Sequence, residues 1–116
     1  MTRTALRFAA LAAALLASGL AFAAPTGNAV AGAKKAQPCA ACHGDGNKTL
    51  DATYPRLAGQ YPDYLTKALS EYRGGKRKNA IMGAQAKALS DQDIADLAAY
   101  FGSRDGLIHD LSGHQR

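Results

Sequence analysis

Two cysteines occur in the 116-residue sequence, Cys39 and Cys42, and His43 follows the second directly, in the stretch PCAACHGDGNKT. Two thiols and an imidazole this close together limit the chain to three chemistries. They can close a redox disulfide, contribute to a metal site, or anchor a larger prosthetic group. The surroundings of the motif separate these readings.

The first residues are those of an export signal. Arg3 and Arg7 precede an apolar run from Phe8 to Ala17, a break at Ser18 and Gly19, and Ala21-Phe22-Ala23. This order predicts a secretory signal peptide over residues 1–23, cleaved after Ala23, and a mature protein in a bacterial periplasm. Read instead as a retained anchor, Phe8 to Ala24 falls short of the about 20 residues a spanning helix needs and is rich in weakly apolar alanine. No membrane span is therefore expected in the mature form. Without Arg3 and Arg7 the net charge falls from +5 to +3. No long Lys/Arg stripe with interleaved aromatics is present, which argues against a nucleic-acid surface.

The mature chain is poor in large core-forming side chains. Val30, Leu57, Leu65, Leu69, Ile81, Leu89, Ile94, Leu97, Phe101 and some tyrosines are nearly all of them. A chain this small gains little from its own core and needs a disulfide, a metal or another internal filler.

Three segments carry helical signals. From Asn28, a candidate N-cap, an alanine-rich helix should run until Pro38 ends or kinks it, so the cysteine motif is expected at its end or just past it. In PDYLTKALSEYRGG, Pro62 suits the first turn, Leu65, Ala68, Leu69 and Tyr72 form one apolar stripe, and Gly74-Gly75 provide the stop. The third helix opens with Ser90 and Asp93 as a capping box, has aspartates near the positive end of its dipole, buries Ile94, Leu97, Ala98 and Phe101, and ends at Gly102. The two intervening stretches, GDGNKTLDATYPRLAGQ and GGKRKNAIMGAQAKAL, are long for structureless loops in a small domain and read as wrapped around something. No segment alternates like a strand. The tail over residues 104–116 is polar and reads as loosely ordered, with His109 and His114 exposed.

The strandless context counts against a thioredoxin-like disulfide, which calls for a βαβ setting. Two sulfurs and one nitrogen leave tetrahedral zinc short of a ligand. Covalent haem attachment fits best: Cys39 and Cys42, one helical turn apart, add to two vinyl groups, and His43 is brought beneath the iron. A second axial ligand is then required. Met82 is the one methionine of the mature chain, and it stands on the second long loop, well C-terminal of His43. Filling a core gap is the commoner role of a methionine. Here it is the available thioether, and a His/Met pair raises the potential, as electron transfer needs.

Taken together, CAACHG, YPRLAGQYPDYL, EYRGGKR, Met82 and LSDQDIADLAAYFGS resemble a small monohaem class I cytochrome c, nearest to the bacterial cytochrome c4, c5 and c553 group. The likeness spans Gly27 to Ser103. It implies an all-α cytochrome c fold over residues 24–103, three main helices plus short turns wrapped around one covalently attached haem c. It implies further that the Pro55 carbonyl accepts a hydrogen bond from His43, fixing its tautomer, and that Leu57 packs on the haem. The first and last helices should cross at Gly32, with Leu97 and Tyr100 opposite. Ala36 or Gln37 stands where many members place an aromatic, so the packing there should be looser.

Smaller assignments follow. Tyr54, Arg56, Gln60 and Asn79 are candidate partners of the haem propionates, although ordinary surface positions suit them equally. Asp45 and Asn47 form a turn. The basic run Arg73, Lys76, Arg77, Lys78 reads first as a solvated loop and second as a rim that steers an acidic redox partner. The implied function is one-electron transport between redox protein partners by a monomer, not an enzyme. The alternatives are a dedicated electron-accepting subunit of a dehydrogenase or sulfur-oxidising enzyme, or a ligand sensor or peroxidase with a labile sixth position.

Overall fold

A computed structural model describes residues 23–106. The expected leader, up to residue 22, and the tail from residue 107, with His109 and His114, lie outside the described residues. Within them the chain forms five helices and no strand: α1 Ala29–Lys35, α2 Gln37–His43, α3 Pro62–Arg73, α4 Ala80–Ala86 and α5 Asp91–Gly102.

Two of these helices differ from the sequence expectation of three. Pro38 does not end the first helix. Ala36 (φ −75°, ψ −7°) is both the C-cap of α1 and the N-cap of α2, and Pro38 lies in the first turn of α2, where a missing N–H leaves no bond unmade. The cysteine motif thus occupies a helix of its own. Met82 is likewise not on a loop. Asn79 caps α4 by accepting the Met82 N–H at 2.9 Å, and a helix of seven residues is too short to show a periodic pattern in sequence.

The three longer signals resolve as expected. Asn28 Oδ1 accepts the N–H groups of Val30 and Ala31 at the start of α1. Pro62 opens α3, which turns out at Gly74. Ser90 and Asp93 form a reciprocal capping box on α5. Helix α5 is central, packed against both α1 and α3, and so buries Ala95 and Asp96 beside the expected Ile94, Leu97, Ala98 and Phe101.

The α1–α5 crossing depends on Gly32. A Cβ at that position would stand 2.0 Å from the Asp96 carbonyl oxygen and 2.7 Å from Tyr100 Cβ. Around the crossing, Ala36, Leu65, Leu97, Ala98 and Phe101 form the buried cluster, with Cys39, Leu57, Leu69, Leu89 and Tyr100 against it. The looser packing expected near Ala36 and Gln37 is present as an open groove of about 280 Å³ that Ala33, Ala36, Gln37, Ala40, Tyr100 and Phe101 help to line.

Asp96 was legible only as one of several acidic residues near the start of α5. Its side chain is buried, 2% exposed, and fully engaged. It accepts from Asn28 N–H (2.8 Å), Gln92 Nε2 (2.8 Å) and Lys35 Nζ (2.6 Å). Lys35 Nζ also reaches Asp93 at 2.7 Å. Lys35 holds both carboxyls below the usual range, helped by Ser90 at Asp93 and by Asn28 at Asp96, and the two carboxylates raise Lys35 in turn.

These directions set a pH window. The stability from the depressed carboxyls is complete above their ordinary value of 3.8 and is lost as pH falls through the lower folded values. The stability from the raised Lys35 is complete below 10.5 and is lost as pH rises through its folded value. Thermal midpoints should therefore hold between these limits and fall outside them. Lys35→Met should lower the midpoint at neutral pH and flatten both limbs. A melting series with limbs as steep as the parent's would remove this cluster as their cause.

Of the expected tail, residues 104–106 are described. Asn47 Nδ2 donates to the Asp105 carbonyl at 2.6 Å, tying residues just past α5 to the loop that follows the cysteine motif. Among the described residues, no helix is long and apolar enough to cross a membrane.

Candidate haem-attachment site

Helix α2 presents Cys39 and Cys42 three positions apart, hence about one turn apart on one side. Both thiols are free and half-buried. Burial pushes the Cys39 thiol above its ordinary value, the opposite of the lowered pKa that activates a redox Cys-x-x-Cys. Among the described residues no three of His, Cys, Asp or Glu converge as a metal site.

His43 ends α2, and the chain then reverses. Gly44, the C-cap, has φ 58° and ψ −139°, and a Cβ there would lie 1.7 Å from the Lys48 carbonyl oxygen, so this turn requires glycine. Asp45 accepts the N–H groups of Asn47 and Lys48 at 2.8 and 2.9 Å, as a turn-forming aspartate does. Leu50 N–H donates to Cys42 at 2.9 Å, and Leu57 and Ala58 N–H both donate to the Gly46 carbonyl. These bonds fold the loop back over the end of α2.

The result is that His43, 5% exposed, meets Pro55. Its Nδ1 lies 2.8 Å from the Pro55 carbonyl oxygen. A carbonyl can only accept, so Nδ1 donates the hydrogen bond, and in the neutral ring the lone pair stands on Nε2. The Tyr54 ring stands edge-on to the imidazole at 6.1 Å. The neighbouring Cys42 side chain, through charge interaction first and hydrogen bonding second, pushes the Tyr54 phenol above its usual value.

The remaining sequence candidates are placed unequally. Leu57 and Cys39 both pack against the buried cluster. Arg56 is exposed. Gln60 Oε1 accepts the Tyr61 N–H, and Asn79 Oδ1 is used by the α4 cap. Met82 is half-buried on α4, which packs against α3, on a different element from His43.

The basic run also divides. Arg73 donates to the Leu89 carbonyl and pairs with Asp91 at 2.6 Å. The Arg77 guanidinium lies 5.3 Å from the Tyr72 ring centre and 5.8 Å from that of Tyr64. Lys76 and Lys78 are exposed, and neither has an ion-pair partner among the described residues. Sequence reasoning missed the Tyr64–Arg77–Tyr72 cluster. The spacing of Tyr64 and Tyr72, two turns apart on α3, was the available signal.

Two free thiols one turn apart, a buried imidazole with its distal nitrogen free, and a half-buried thioether form a donor set that fits haem c. Comparisons with known proteins agree. The Cytochrome c family model matches residues 29–105. Cytochrome c-554(548) of Halomonas halodenitrificans is 45% identical over 82 residues, covering 68% of this chain and 99% of that protein. Cytochrome c4 of Pseudomonas aeruginosa is 46% identical over 87 residues, 75% of this chain but 42% of that protein. The crystal structure of reduced recombinant cytochrome c4 from Pseudomonas stutzeri superposes with a TM-score of 0.66 at 38% identity, covering 71% of this chain and 48% of that one. The chain thus spans nearly all of the first relative and about half the length of the cytochromes c4. Covalently attached haem c is the cofactor of such proteins. With its helical fold, its Cys-x-x-Cys-His helix and these relatives, the chain belongs to the cytochrome c family.

Proposed function

We propose that this chain is a monohaem electron carrier of the periplasm, with thioethers from Cys39 and Cys42 and with His43 Nε2 and Met82 Sδ as the axial ligands of the iron. Haem bound in this way supplies a one-electron Fe(III)/Fe(II) couple. The observation that carries the reading is the 2.8 Å contact from His43 Nδ1 to the Pro55 carbonyl. It holds the ring in one orientation, selects the neutral tautomer protonated at Nδ1 and makes the imidazole a stronger donor.

Further support comes from apolar side chains that lack a cover. Leu50, whose N–H is tied to Cys42, is 69% exposed, and Ile81, next to Met82, is 56% exposed. A macrocycle held between these segments would remove both from water and supply the filler that the small core lacks. Tyr54, Arg56 and the amide Nδ2 of Asn79 are left as candidate propionate donors, since the α4 cap engages only Asn79 Oδ1. Intact mass and a pyridine haemochrome spectrum, taken on protein from a periplasmic fraction, test cofactor and compartment together. One covalent haem on a chain starting at Ala24 is expected; apoprotein would overturn the reading.

The mature chain would act as a monomer on redox protein partners, with Lys76 and Lys78 as the free charges that steer an acidic docking surface. Neutralising both to glutamine should slow transfer about threefold or more at about 0.01 M ionic strength, and the difference should vanish near 1 M, where screening is short-ranged. Stopped-flow rates that stay equal at low salt would remove the steering role.

A further inference from the structure

The segment between α3 and α4 is fastened at two points, and Met82 lies just beyond the second. The chain turns back at Gly75 (φ 71°), and Arg77 N–H then donates to the Glu71 carbonyl at 3.1 Å. This lays the segment along α3 in the reverse direction. The Arg77 side chain follows it. Its guanidinium faces Tyr72 and Tyr64, and Nη2 reaches the Tyr64 hydroxyl at 3.2 Å. Two residues later Asn79 is extended (φ −162°, ψ 123°) and its side-chain oxygen accepts the Met82 N–H at 2.9 Å.

We propose that Arg77 and Asn79 are positioning residues for the thioether of Met82, the first clamping the segment to α3 and the second fixing the backbone of Met82 itself. The proposal rests on the reading of Met82 as an axial ligand. A seven-residue helix is too short to hold its own shape. What orients α4 is therefore its cap and its attachment to α3, and both converge on the turn that bears Met82. Planar guanidinium stacking suits this better than a lysine would, because the fork is rigid and pairs with two ring faces at once. Arg77 thus serves the interior geometry, its side chain held in place by the two tyrosines.

The test is displacement of Met82 from ferric holoprotein by added imidazole, followed through loss of the thioether–iron charge-transfer absorption. Apparent affinity for imidazole rises in proportion to the population in which the thioether is off the iron. Asn79→Ala is expected to raise that affinity about fivefold, the effect of losing one N-cap, and Arg77→Met about threefold, the effect of losing an exposed cation–π contact. Asn79→Asp should restore parental affinity. It keeps the acceptor that the cap uses and lacks the amide donor that a propionate would need. Lys34→Ala, an exposed charge removed on α1, serves as the control and should match the parent.

Met82→Ala separates the two levels of the argument. If it leaves the absorption and the isotherm unchanged, Met82 is not the ligand and the underlying reading falls. If it abolishes the absorption while Asn79→Ala and Arg77→Met bind imidazole like the parent, the clamp is overturned. A drop in thermal midpoint in these variants without any change in imidazole affinity would equally overturn it, because that would make both residues merely structural.

Discussion

Met82→Ala is expected to convert a closed carrier into one with an open coordination position. The ferrous protein should bind carbon monoxide, the thioether absorption should disappear, and the potential should fall by on the order of 0.1 V or more within the about 0.8 V that axial ligation spans. The direction follows from what the thioether does. A neutral, soft sulfur favours Fe(II), and water or hydroxide in its place favours Fe(III). Ile81, Gly83 and Ala84, the immediate neighbours of Met82 on α4, have no donor side chain to take its place. A spectrum and potential equal to the parent's would reject Met82 as ligand.

Gly32→Ala should have the largest effect on stability. Two contributions oppose each other. Alanine favours a helix over glycine by about 1 kcal/mol, while forcing a methyl into a filled contact costs up to about 3 kcal/mol or more. The steric contribution wins here because the neighbour is backbone: the new Cβ would stand 2.0 Å from the Asp96 carbonyl oxygen, which α5 cannot turn aside as a side-chain tip could. A net loss of about 2 kcal/mol corresponds to a fall of roughly 10 °C or more in Tm for a domain of this size. The separation of α1 from α5 would also pull Lys35 and Asn28 from Asp96. An unchanged or raised Tm would show that the crossing is not close-packed.

Much of the fold was legible in local sequence. The Ser90/Asp93 box, Pro62, and the stripe through Leu65 and Leu69 each depend on neighbours within a turn or two, so spacing alone predicts them. The two short helices were not legible for the complementary reason. Seven residues hold too few apolar positions to declare a period, and Pro38 carries opposite meanings in the interior and in the first turn of a helix. In the structure Ala36 is the buried junction that caps both helices and leaves Pro38 in a first turn. Asp96 was similarly opaque, because an aspartate near a helix start needs no explanation until Lys35 and Asn28, far away in sequence, are found on it.

The basic run shows the same division at the surface. By composition Arg73, Lys76, Arg77 and Lys78 are equivalent. In space Arg73 is held by Asp91 and Leu89 and Arg77 by two tyrosines, while Lys76 and Lys78 are exposed, so two side chains of the run are fixed by internal contacts.

By itself the sequence determined the candidate donors and their order: two thiols one turn apart, an adjoining imidazole, a distant thioether, and a core poor in large side chains. Bond lengths and helical rise set the relation of the two thiols and the imidazole, which holds in any fold that keeps α2 helical. Only the tertiary structure decided which imidazole nitrogen is free, which cations face solvent, what orients the turn bearing Met82, and how closely α1 meets α5. Each of these depends on a contact that chain proximity cannot supply, such as Pro55 on His43 across 12 residues or Asp96 on Asn28 across 68.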